Sequence, residues 1–174
     1  MEKKVLVIGH IDEGKTTFIN SVRNIIGKEN LSDCDPEEVR FMIGDNEYLL
    51  FAYPGHADYC EKIGKNEEKY AILVSSAMNG LMPQAREQME ICKEKGIKKV
   101  AVFMSMCDIV DDEDLIGFAT EDIAEMLEEN GYDGNCPFAK GSSFAVLEGG
   151  EEFKKKYTKI LTEFLFDCHD WFNK

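Results

Sequence analysis

Residues 9–17 read Gly9-His10-Ile11-Asp12-Glu13-Gly14-Lys15-Thr16-Thr17, and they restrict what this chain can fold into more tightly than any other stretch. The pattern is G-x-x-x-x-G-K-[ST]. Two glycines let the backbone curl until successive N–H groups point inward as an anion nest. A helix starting at Lys15 adds the positive end of its dipole. Lys15 brings a full charge to the β- and γ-phosphates of a nucleotide, and the Thr16 hydroxyl can ligate Mg2+. The pattern carries this meaning only between a strand and a helix. Here residues 5–8 are a compact β-branched run and residues 15–26 read as a helix, so the context is met. Asp12 and Glu13 put two carboxylates into an anion-binding loop. That is costly beside phosphates unless cations lie between, or unless both side chains point to solvent.

The remaining pattern extends the same architecture. Apolar strand-like runs at 48–53, 70–75 and 100–104, with an edge strand near 39–43 and a short run at 137–139, alternate with helical stretches at 84–95, 112–130 and 151–172. Gly96 and Gly131 stand where two of these helices should stop. The last helix carries an apolar stripe of Phe153, Tyr157, Ile160, Leu161, Phe164, Leu165, Cys168 and Phe172. Repeated strand-helix units predict a single α/β domain over residues 1–174, a three-layer sandwich of about six strands, mainly parallel, with helices on both faces. Ligands of such sheets bind beyond the carboxyl ends of the strands.

Bulk properties narrow the partners. A length of 174 residues suits one domain with a sizeable core. The net charge of −14, from 34 acidic and 20 basic residues, repels phosphate backbones and anionic membranes. Direct nucleic-acid binding is therefore not expected, and a small ligand or a basic protein partner fits better. The six cysteines show no CxxC pair or metal-ligand spacing and read as reduced, buried hydrophobes. No signal peptide or membrane span is legible, so the expected compartment is the cytoplasm.

The motifs resemble, in order from residue 9 to about 149, those of the translational GTPases of the elongation factor Tu type. GHIDEGKTT is similar to that family's phosphate loop. Residues 53–59, YPGHADY, resemble its DCPGHADY. Residues 79–87, NGLMPQARE, resemble DGPMPQTRE. Residues 107–112, CDIVDD, resemble the end of NKCDMVDD, and Gly141-Ser142-Ser143-Phe144 with Leu147-Glu148-Gly149 resembles its GSAL…LEG segment. The resemblance implies a P-loop GTPase domain that binds GTP and GDP with Mg2+. It implies that Gly9 to Thr17 hold the phosphates and that Thr16 also holds the metal. Gly55 would sense the γ-phosphate through its N–H. His56 would position the attacking water, with Ile11 beside it and Lys15 as its catalytic companion. Asp108 would accept from the guanine edge, Ser105 and Met106 would support the base loop, and Ser142, Ser143 and Phe144 would pack the base from the other side.

The chain departs from the family at four places. Ala52 stands where the family has the aspartate that supports Mg2+, so the metal is expected to be weakly held unless a neighbour such as Asp12 or Asp58 compensates. The connection 28–48 is short and contains no threonine, with Ser32 its one non-phenolic hydroxyl, so the nucleotide-triggered switch is truncated. The guanine motif reads Ser105-Met106-Cys107-Asp108, serine replacing asparagine and methionine replacing lysine. The family's two β-barrel domains, which help hold aminoacyl-tRNA, do not follow here, and tRNA carriage is not expected. Two readings stay open: a slow GTPase producing GDP and phosphate, and a pseudo-GTPase or scaffold that acts through a protein partner without hydrolysis.

Overall fold

The computed structural model describes residues 2–27, 37–54 and 58–174. Its strands are β1 (Glu2–Ile8), β2 (Glu38–Ile43), β3 (Asn46–Phe51), β4 (Tyr70–Ser76), β5 (Lys99–Ser105) and β6 (Phe138–Lys140). Its helices are α1 (Lys15–Ile25), α2 (Tyr59–Lys62), α3 (Pro83–Glu94), α4 (Glu113–Glu129), α5 (Ser143–Glu148) and α6 (Glu151–Asn173). The strands form one sheet in the order β2-β3-β1-β4-β5-β6. Only β2 runs antiparallel to its neighbour, paired with β3 from Glu38↔Phe51 to Ile43↔Asn46. The other pairings are parallel. The expected α/β sandwich is thus present, with six strands and helices on both faces.

Period-two alternation assigns each strand's side chains to two cores. Val5, Val7, Leu50, Ile72, Val74 and Phe103 face one layer, where they meet Phe18 and Val22 of α1, Val146 of α5 and Leu161 and Phe164 of α6. Leu6, Ile8, Phe51, Leu73, Val102 and Met104 face the other, against Tyr59 of α2, Met89 and Cys92 of α3 and Ile123 and Leu127 of α4. Burial on both faces is why these strands read as near-continuous apolar runs. Phe18, Phe103 and Phe164 pack as a triad, with ring centroids 4.8, 5.6 and 6.4 Å apart, and lock α1 and α6 onto β5.

The helix ends follow local chemistry. Asp112 caps α4 by accepting from the N–H groups of Asp114 and Leu115 at 3.0 and 3.1 Å. Gly96 and Gly131 take left-handed φ just past α3 and α4, as expected of helix stops. Two features differ from the sequence expectation. The short helices α2 and α5 lack the length for a periodic signal. Phe153, placed in the apolar stripe of α6, is 51% exposed and meets the core through its stack on Tyr157, ring centroids 6.1 Å apart. Among the described residues no helix is long and apolar enough to cross a membrane. The loops after β1, β3, β4, β5 and β6 gather at the carboxyl edge of the sheet, where the sequence expected a ligand.

Candidate functional site

The loop between β1 and α1 is built from its glycines and held from α3. Gly9 has φ 149°, and a Cβ there would lie 2.3 Å from the Val74 carbonyl oxygen, so only glycine lets β1 turn off this close to β4. The Gly9 N–H donates to Gln88 Oε1 at 2.8 Å and the Ile11 N–H to Gln84 Oε1 at 3.0 Å. Asp12 and Gly14 take left-handed φ of 61° and 91°. Helix α1 then begins without a side-chain cap. Its first backbone bond runs from the Phe18 N–H to the Gly14 oxygen at 2.8 Å, so the N–H groups of Lys15, Thr16 and Thr17 head an open first turn. A cavity of about 290 Å³ lies there, lined by Asp12, Gly14, Lys15, Thr16 and Thr17.

Lys15 folds back over the loop, and its Nζ donates to the Gly9 and His10 carbonyl oxygens at 2.8 and 3.0 Å. It also sits 5.3 Å from the centre of the Tyr59 ring. Burial lowers its pKa, against which the carboxylates of Glu37, Glu13 and Asp12 act. The expectation that both loop carboxylates point to solvent holds for Asp12, which is exposed, and fails for Glu13. Glu13 is 1% exposed. Its carboxylate accepts from the Ser76 N–H and, at 3.1 Å, from Asn79 Nδ2, away from the loop concavity. Two donors at and just beyond the end of β4 make burial tolerable for this carboxylate.

A second cavity, of about 330 Å³, adjoins the first and shares Gly14 and Thr17 with it. Its other lining residues come from three segments: Glu13, then Ser105 at the end of β5 with Met106, Asp108 and Ile109 after it, and then Ser142 with Ser143 and Phe144 at the start of α5. Every residue expected at the base therefore lines one pocket. Ser105 Oγ donates to the Glu13 carbonyl oxygen at 3.2 Å, tying the loop after β5 to the phosphate loop by a short arm. Met106 takes a left-handed φ of 62°, and its sulfur accepts from Ser76 Oγ at 3.2 Å. Ser142 caps α5 by accepting from the Ala145 N–H at 3.0 Å. Ser143 Oγ is buried without a partner among the described residues. Ile109 and Phe144, each 62% exposed, form apolar lips suited to the faces of a flat ring.

Thr16 Oγ1 donates to Glu37 Oε1 at 3.1 Å. The Glu37 carbonyl oxygen accepts from the Ala52 N–H at 2.8 Å, which carries the β2-β3 ladder one pair beyond its last strand residues. Sequence reasoning did not select Glu37, because the contact depends on strand register. Nor did it select Gln84 and Gln88, whose amides hold the phosphate loop, although Gln84 lies within the NGLMPQARE motif. Gly55, His56, Ser32 and Cys34 lie outside the described residues. Among the described residues no group of three or more His, Cys, Asp or Glu side chains could hold a metal ion.

Comparison with known proteins adds one finding. A family model described as the elongation factor Tu GTP binding domain matches residues 35–167. The matched segment takes in Ala52, Asp108 and Ser142 to Phe144, and it begins after the phosphate loop.

Proposed function

The chain belongs to the elongation factor Tu GTP binding domain family, and on that premise we propose that it binds GTP and GDP in the two adjoining cavities and hydrolyses GTP slowly. One observation carries the reading: the cavity of about 330 Å³ bounded by Asp108 meets the cavity at the start of α1 along Gly14 and Thr17. A base in the first and phosphates in the second would occupy contiguous space, and volumes of this order are ordinary for small-ligand pockets.

The residues would divide the work as follows. Asp108 accepts from N1–H and N2–H2 of guanine, a pair of donors that adenine does not present. Phe144 and Ile109 cover the ring faces. The open N–H groups of Lys15, Thr16 and Thr17 meet the phosphates. The Lys15 ammonium exchanges two loop carbonyls for phosphate oxygens, which are stronger acceptors. Thr16 offers a hydroxyl at the cavity mouth, and with phosphate oxygens and water it makes the all-oxygen donor set that suits Mg2+. When bound, Mg2+ supplies charge neutralisation on the phosphate oxygens. His56 takes the role of orienting water.

A second reading, a binding module without hydrolysis that acts through a protein partner, is favoured by Ala52, which offers no side-chain oxygen to the metal shell, and by the absence of a threonine from residues 28–48. Calorimetric titration with GDP, GTP and ATP tests the binding claim: both guanine nucleotides should bind and ATP more weakly. Silence with all three would overturn it. Single-turnover assay with labelled GTP separates the two readings, a slow first-order release of phosphate supporting the enzyme and none supporting the module.

A further inference from the structure

We propose that Glu37 is the carboxylate that supports Mg2+ in this chain, standing in from the adjacent strand for the acidic group that Ala52 lacks; the proposal rests on the nucleotide-binding reading above. The register carries it. The last strand pair is Glu38↔Phe51, and the bond from the Ala52 N–H to the Glu37 oxygen at 2.8 Å places 37 opposite 52. Residues opposed in an antiparallel pair project to the same face with Cβ atoms about 5 Å apart. A carboxylate lost from position 52 can therefore be supplied from 37 into nearly the same space.

The side chain is already aimed there. Glu37 Oε1 accepts from Thr16 Oγ1 at 3.1 Å, and Thr16 lines the cavity at the start of α1. Glu37 also leads the carboxylates whose fields act on Lys15. Asp12 and Asp58, the neighbours named from the sequence, are both exposed; Asp12 lines the same cavity, and Glu37 differs from both in bonding the Thr16 hydroxyl. Electrostatics requires a cation if phosphates are to share this corner. A carboxylate beside phosphates is repulsive on its own, and a divalent ion between them reverses the sign. Mg2+ commonly takes one or two carboxylates together with phosphate oxygens and several waters. With Thr16 and Glu37 both present, Glu37 takes the place of the compensating neighbour that the sequence left open.

The test measures the ratio of GDP affinities with Mg2+ and with EDTA, by calorimetry on the intact chain. The unmodified protein should show strong Mg2+ enhancement. Glu37→Gln should cut that enhancement by about 10–100-fold, the range for loss of a group that orients or supports a metal's ligands. Adding Ala52→Asp to that variant should restore it. Mn2+ relaxation of the Glu37 carboxyl carbon, read by NMR on the unmodified chain with GDP, needs no variant and should be strong. Undiminished enhancement in Glu37→Gln, or no Mn2+ effect at Glu37, would overturn the proposal while leaving nucleotide binding intact. Absence of GDP binding under both conditions would overturn the nucleotide reading and this proposal with it.

Discussion

On the proposed reading single side chains decide which nucleotide fits, and they also decide whether the loop keeps its shape. Asp108 is the one carboxylate on its loop that lines the cavity proposed for the base. Facing an adenine edge it would lose its donors, at about 1–3 kcal/mol for a buried polar group left unpaired. Asp108→Ala should therefore erase the preference of GTP over ATP, measured by competition titration, with little change in ATP affinity. Glu13 works in the opposite direction, for the fold. Its buried carboxylate satisfies the Ser76 N–H and Asn79 Nδ2. Glu13→Ala leaves both donors unmet and should cost about 1–3 kcal/mol in urea unfolding. Glu13→Gln keeps one acceptor and should cost less. Equal stability of the two variants would show that these bonds do not hold the loop.

At the scale of elements, the site depends on how closely β1, β4 and α3 approach one another. The loop turns away from β1 at Gly9, where an added Cβ would meet the Val74 carbonyl oxygen at 2.3 Å, a backbone atom that cannot swing aside. Gly9→Ala should destabilise the chain by roughly 2–4 kcal/mol, combining positive φ with the clash. Thermal unfolding followed by circular dichroism would read this as a lowered Tm. Helix α3 grips the same loop through Gln84 and Gln88. Gln84→Ala removes an acceptor from the half-buried Ile11 N–H and should weaken GDP binding more than it weakens the fold, because the loop loses its pre-set curl. A calorimetric comparison with the thermal data separates those two effects.

For the whole molecule, burial of thiols sets an alkaline limit. Burial pushes Cys92 and Cys136 up to about 12 and Cys107 up to about 11 from an ordinary value of 9.0, and it raises Cys168 well above that value. The folded chain thus keeps these thiol protons after the unfolded chain has released its own. Their contribution is complete below pH 9.0 and is lost as pH rises through the folded values of about 11 and 12. Urea unfolding under reducing conditions should show stability falling steadily above pH 9.0. A flat profile would contradict burial of these groups. The five described cysteines are free thiols. With the native fold intact, Cys92, Cys136 and Cys168 should resist a thiol reagent while half-buried Cys60 and Cys107 react slowly.

The sandwich and the apolar runs that form its strands were legible in the sequence, as was the set of base-loop residues that line one cavity. Those signals are local: a strand-loop-helix motif, period-two and period-3.6 burial, and glycines at helix stops. Ser142 and Asp112 cap their helices through contacts of the same local kind, a side-chain oxygen reaching N–H groups two or three residues on. What the sequence could not determine was every contact that depends on which strands lie side by side. Asp12 and Glu13 are adjacent and chemically alike, yet one is exposed and the other buried, because only Glu13 faces the Ser76 N–H at the end of β4. Glu37 and Ala52 are 15 residues apart, and the antiparallel register of β2 on β3 alone makes them neighbours over Thr16. A hydrogen bond needs two atoms within about 3 Å, and only the folded sheet brings residues so far apart in the chain within that reach.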